Sequence, residues 1–135
     1  MPATKAIPRI VKSKSCGNSP KNLLVQALVI AIETANVTVF SRCISDDLLW
    51  AIPGRKSFDG KAAALAFLKS RKLSAPAQVR VRRVISHGRA GAGDGTLVLQ
   101  SGLPHSFCHV FEFTSARGNR VSAISSYYSD LGEVA

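Results

Sequence analysis

No run of about 18 apolar residues occurs in the 135-residue chain, so no membrane-spanning helix is expected. Cysteine is sparse: Cys16, Cys43 and Cys108 are odd in number, lie far apart and form no C-x-x-C pair. That spacing excludes a disulfide framework and a zinc module, and reduced thiols in a cytoplasm are the simpler expectation. Acid is also scarce, with 8 aspartates and glutamates against 18 lysines and arginines and a net charge of +10. Such a field attracts an anionic substrate or a polyanion. The positive residues are scattered, however, and are not interleaved with base-stacking aromatics, so nucleic acid is not an expected partner.

The amino-terminal stretch MPATKAIPRIVKSKSCGNS has no acid and lacks the apolar segment of a secretory signal. Its two prolines also disfavour the amphipathic helix of a transit peptide. Residues 1–18 read as a flexible basic arm, and 19–135 as one domain with one core.

Ser19-Pro20 starts a helix, because serine caps one orphan N–H and proline at the first position removes another. Helix one is expected from Pro20 to about Ala35, and its run LLVQALVIAI is apolar nearly all round, which implies burial on more than one side. Asn36 ends it and caps a short helix from Val37 to Ile44, with Asp46 and Asp47 beyond in solvent. LLWAI is a short strand closed by Pro53-Gly54. Asp59 is expected to cap helix three, Gly60 to Leu73. From Val79 onward, VRVRRVIS, LVLQ, HSFCHVFEF and RVSAISSYY read as four strands, with turns at HGRAGAGDG, SGLP and ARGN. Helices first and a meander second is the α+β pattern.

This order, with ISDDLLWAIPG, FDGKAAALAFL and the closing YYSD, resembles the nuclear transport factor 2 superfamily in its SnoaL-like branch. The resemblance covers about Ser19 to Asp130. It implies a cone-shaped α+β barrel, three helices packed on a curved, mostly antiparallel sheet. It also implies a pocket between helices and concave face, and homodimers that pair through the outer sheet face. Ketosteroid isomerase shares that superfamily and aligns on Gln26 to Pro53 without a gap. Leu28 stands where its phenol would be, Ile52 where its base would be, and His109 where its protonated acid would be. Leucine and isoleucine move no proton, so isomerisation by that route is excluded. The arginine and two aspartates of the limonene epoxide hydrolase branch have no counterpart at the matching positions.

The segment HSFCHVFEF poses the sharpest chemical question. A strand of period two sends His105, Phe107, His109, Phe111 and Phe113 to one face and Cys108 to the other. At about 3.3 Å per residue the two histidines stand about 13 Å apart. A zinc ligand sits about 2.0–2.3 Å from its ion, so this trio holds no metal. The same opposition of faces rules out a Cys/His nucleophile pair, and Cys108 reads as a small apolar residue of the outer face. No cofactor motif is present.

On the implied fold, His109 interrupts an apolar pocket wall as a polar anchor or general acid/base; the competing reading is a core histidine bonded to a neighbour. The expected wall comprises Leu28, Trp50, Ile52 and Phe67 from one side. Phe107, Phe111, Ile124, Ser126 and Tyr128 complete it. Ser126 or Tyr128 is expected to bond His109 and fix its tautomer, since a buried imidazole without a partner is costly. Asp130 reads as surface or pocket rim, and His87 as a turn residue.

Two functions follow. One is a pocket for a small apolar or carboxylate-bearing ligand, with Arg55 or Lys56 near its mouth; an enzymatic version is an isomerase or cyclase using His109 for proton transfer. The other is a dimeric protein or polyanion interaction module without catalysis, drawing on Arg80, Arg82 and the basic arm.

Overall fold

A computed structural model describes residues 7–14, 16–17, 19–71 and 76–129. The end of the expected third helix beyond residue 71 and the expected rim position of Asp130 lie outside these residues.

Helix α1 spans Pro20–Thr34, and the side chain of Ser19 accepts from the Asn22 N–H at 3.2 Å. It stops at Ala35, whose φ of 54° is left-handed and breaks the helical path. Helix α2, Val37–Arg42, begins at Asn36, which accepts from Val39 N–H at 3.2 Å. It is shorter than the expected Val37–Ile44, because Ile44 is drawn into the sheet, where it pairs with Val121.

Seven strands form one sheet in the order β1-β4-β5-β6-β7-β2-β3. They are β1 (Arg9–Val11), β2 (Ile44–Ile52), β3 (Lys56–Asp59), β4 (Gln78–His87), β5 (Ala90–Val98), β6 (Pro104–Phe113) and β7 (Val121–Tyr128). β1 runs parallel to β4 and β2 parallel to β7; the other neighbours are antiparallel. Among the described residues β1 and β3 do not pair with each other, so the curved, mostly antiparallel sheet is open where a cone-shaped barrel was expected.

Four further differences from the sequence reading have physical causes. Part of the expected arm is held: Ile10 packs partly buried against the core, and the Ser13 N–H donates to buried Gln26 Oε1 at 2.7 Å. Asp46 and Asp47 do not follow a helix but lie exposed within β2, in the irregular stretch between Ile44 and Leu49. Asp59 does not cap helix α3 (Lys61–Arg71); it ends β3, opposite Leu49, and Gly60 at φ 95° makes the turn. Finally, AGAGDG is strand β5 where a turn was expected. Gly91 and Gly93 face α1 so closely that an added Cβ would meet Val25 Cγ2 at 2.8 Å and Val29 Cγ2 at 2.7 Å. Alternate glycines thus let the helix lie directly on the strand.

The core lies between α1 and the inner sheet face. Leu28, Val29, Ile32, Trp50, Phe111 and Phe113 are fully or almost fully buried there. Side chains of this kind contribute roughly 1.5–3 kcal/mol each on burial.

Candidate functional site

Register and period two place the polar centre. His109 on β6 stands opposite Ser126 on β7, Phe107 opposite Tyr128, and Phe111 opposite Ile124. Trp50 on β2 stands opposite Ile124 from the other side. The inner faces of three strands therefore converge on His109, which is 0% exposed.

Its partners come from two directions. Ser126 Oγ lies 2.7 Å from His109 Nδ1 and accepts from Trp50 Nε1–H at 2.8 Å. Glu33, projecting from the last turn of α1, places Oε2 2.5 Å from His109 Nε2. The Tyr128 hydroxyl donates to the same oxygen at 2.8 Å, and Arg71 Nη2 donates to Glu33 Oε1 at 3.3 Å. Arg71 Nη1 donates to the Tyr128 hydroxyl oxygen at 3.2 Å.

The direction of each bond follows from the donors available. Indole nitrogen only donates and a carboxylate only accepts, so both ends of the chain are fixed. With its one proton directed at His109 Nδ1, Ser126 leaves the imidazole proton on Nε2, facing Glu33. The array then runs Trp50 to Ser126 to His109 to Glu33 without an unmatched atom. Of the two expected partners of the imidazole, Ser126 bonds it directly, and Tyr128 reaches it through Glu33.

Burial by itself raises the Glu33 carboxyl, but the bond and electrostatic attraction of the His109 N–H, the Arg71 charge and the bond from Tyr128 together outweigh it and hold the group below its ordinary range. Burial and then the Glu33 charge push the Tyr128 phenol far up, so it stays a donor. For Arg71, burial favours losing the proton, and the Glu33 charge, together with Tyr128 and the hydrogen bonds to both, more than offsets this. Burial raises the Cys108 thiol, which suits an inert residue.

A cavity of about 310 Å³ adjoins this array. Ile52, Phe67, Leu97 and Leu99 give it apolar walls, and Arg55, Lys56, Arg71, His105 and Tyr128 also border it. Of the residues expected on the pocket wall, Ile52, Phe67 and Tyr128 border it. Leu28, Trp50, Phe107, Phe111, Ile124, Ser126 and His109 are instead packed in the core behind it. The reason is geometric: α1 seats on the sheet and Glu33 closes over the imidazole, whereas the cavity lies beside α3, bordered by Phe67 and Arg71. Phe67 continues from wall to core, with its ring stacked on Phe58 at 4.3 Å and edge-on to Trp50 at 5.3 Å.

Glu33 and Arg71 carry no role in the sequence reading, yet both left a signal. Glu33 is the one acid of α1, on the buried stripe Val25–Val29–Glu33. Arg71 stands one helical turn beyond Phe67, on its inward side. Among the described residues no group of three or more His, Cys, Asp or Glu is placed to hold a metal ion. No described helix is long and apolar enough to cross a membrane.

No family model matches the chain, and no curated protein does. Solved structures do. An LEH-like epoxide hydrolase of M. tuberculosis is 19% identical with a TM-score of 0.67, over 83% of this chain and 86% of that one. An NTF-2 like protein of unknown function from Burkholderia xenovorans is 22% identical with a TM-score of 0.66, over 80% and 81%. A ketosteroid isomerase-like protein of Kribbella flavida is 16% identical with a TM-score of 0.66, over 80% and 76%. At these identities the likeness is one of fold. Three helices and an open, curved seven-stranded sheet are the nuclear transport factor 2-like fold, and this chain has it.

Proposed function

We propose that the chain binds a small, mostly apolar molecule in the cavity beside α3, and that a carboxylate-bearing guest is favoured. The cavity itself supports this reading: at about 310 Å³ it stands at the small end of the roughly 300 to 1,000 Å³ that ligand sites occupy. Its four aliphatic or aromatic walls are joined by the cations Arg55, Lys56 and Arg71, the pairing an amphiphilic acid requires. The solved relatives fit such a reading, since they include an epoxide hydrolase and a ketosteroid isomerase-like protein.

The binding version takes precedence over the enzymatic one because His109 has no exposure. A proton moving between a guest and His109 must pass through Tyr128 and Glu33. The test is to release and identify, by mass spectrometry, what the natively purified protein carries, and to titrate it back while following Trp50, the sole tryptophan. A released apolar acid that shifts Trp50 emission on return supports the reading. An empty protein whose emission no small apolar compound alters ends it.

A second reading, pairing of two copies through the outer sheet face, is favoured by exposed apolar side chains there. Ile85 is 66% exposed, and Val110 and Tyr127 are nearly half exposed. Side chains of this size on one sheet face suit a partner surface. Sedimentation of the native chain against Ile85→Glu tests it: a dimer that the substitution dissociates supports this reading, and a monomer at all concentrations removes it. A polyanion partner would instead bind with a steep salt dependence.

A further inference from the structure

We infer that Arg71 is the residue that reads the ligand's anionic end, and that the site selects a carboxylate over a neutral group of the same shape. The inference rests on the cavity being a ligand site. Guanidinium carries five N–H donors in a rigid plane. In Arg71 one nitrogen donates inward to Glu33 Oε1 at 3.3 Å and another to the Tyr128 hydroxyl at 3.2 Å. Two of five donors are thereby used on the inner edge. Its guanidinium carbon also lies 5.8 Å from the centre of the Phe67 ring and 5.5 Å from that of Tyr128. Two acceptors and two rings hold the plane in place, while the side chain keeps 26% of its surface open and borders the cavity. A guanidinium so held has donors left for a guest and loses little freedom when it binds one.

Arg55 and Lys56 also border the cavity, but both are exposed. They contribute to the field that draws an anion in, but water screens a charge-assisted bond made at an exposed cation. Arg71 differs because its surroundings are largely dry, and charge-assisted bonds made there are the stronger for it. The buried Glu33 carboxylate is essential to that placement. It offsets the Arg71 charge, yet it accepts from one guanidinium nitrogen only, at 3.3 Å. With Ile52, Phe67, Leu97 and Leu99 as the apolar walls, the ligand class is a compact monocarboxylic acid with an aryl or branched-alkyl body.

Phenylacetate and its neutral counterpart phenylacetamide are suitable probes, titrated separately into the isotope-labelled native chain at neutral pH and followed by NMR. The expected result is that both perturb the amides of Ile52, Phe67 and Leu97, that the acid binds about tenfold or more tightly than the amide, and that only the acid moves the Arg71 Nε–H signal. Arg71→Lys, which keeps the charge and removes the planar fork, should bring the acid down toward the amide and leave the amide unchanged. Equal binding of acid and amide by the native chain overturns the role of Arg71 while leaving the cavity reading intact; because this comparison needs no variant, it does not depend on whether Arg71→Lys folds. No perturbation by either probe at several millimolar overturns the cavity reading, and the inference with it.

Discussion

His109 Nε2 and Glu33 Oε2 lie 2.5 Å apart, and neither side chain has any exposure. The imidazole comes from the sixth strand and the carboxylate from the first helix, so their meeting welds the helical layer to the sheet. Breaking such a pair from one side costs more than the pair contributes, because the remaining group is left buried and unmatched.

Glu33→Ala should therefore lower the free energy of unfolding by about 3–5 kcal/mol, measured by denaturant titration. Glu33→Gln keeps the shape and should cost less. A loss under 1 kcal/mol for the alanine variant would show that the carboxylate is not bound into the fold as described.

The same carboxyl sets a pH dependence. Its folded-state pKa lies below the ordinary value of 4.5, although burial, the largest single influence, opposes this; the bond and electrostatic attraction of the His109 N–H lead the influences that prevail. Between the folded value and 4.5 the unfolded chain binds more protons than the native one, so stability rises with pH across that interval. The Glu33 contribution is accordingly complete above about pH 4.5 and is lost as pH falls toward the folded value. Urea midpoints of the native chain should drop on acidification through this range, and those of Glu33→Gln should drop less. Parallel curves for the two proteins would contradict the assignment.

Ser126→Ala tests the other end of the array with almost no change in volume. Trp50 Nε1–H loses its acceptor and His109 Nδ1 its donor, both in the core. The expected cost is about 1–3 kcal/mol for each buried group left unmatched, with a shift in Trp50 emission. An unchanged indole N–H resonance in the NMR spectrum would count against the Trp50–Ser126 bond.

The fifth strand yields a comparison of two glycines. A Cβ at Gly93 meets the Val29 methyl Cγ2 at 2.7 Å, whereas at Gly95 it meets the Arg80 backbone oxygen at 1.9 Å. A side-chain methyl can yield, and Gly93→Ala should cost about 1–3 kcal/mol. Backbone cannot yield without disturbing the β4–β5 register beside its irregularity at Val81–Arg83. Gly95→Ala should be the more destabilising of the two, and the reverse order in thermal melts would refute this packing.

Parts of this molecule were legible because their causes are local. Ser19 and Asn36 start helices through bonds spanning three residues, and the sequence reading places both. The alternation in HSFCHVFEF likewise separates Cys108 from His109 before any fold is known, since pleating alone decides it. The strand Ala90–Val98 was not legible. Its glycines resemble a turn until α1 is laid across them, and nothing within nine residues announces that contact.

The site divides along the same line. That His109 faces inward among phenylalanines, with Ser126 and Tyr128 on the facing strand's inner side, followed from strand period and from the likeness of the whole order to a known fold. That the imidazole is sealed by Glu33, and that Arg71 rather than His109 meets the cavity, was decided only in three dimensions. Glu33 and His109 are 76 residues apart in the chain, and Arg71 is 38 from Glu33. Periodicity assigns each residue a face, but the pairing of charges across faces depends on how helix and sheet are seated, and that is a property of the packed whole.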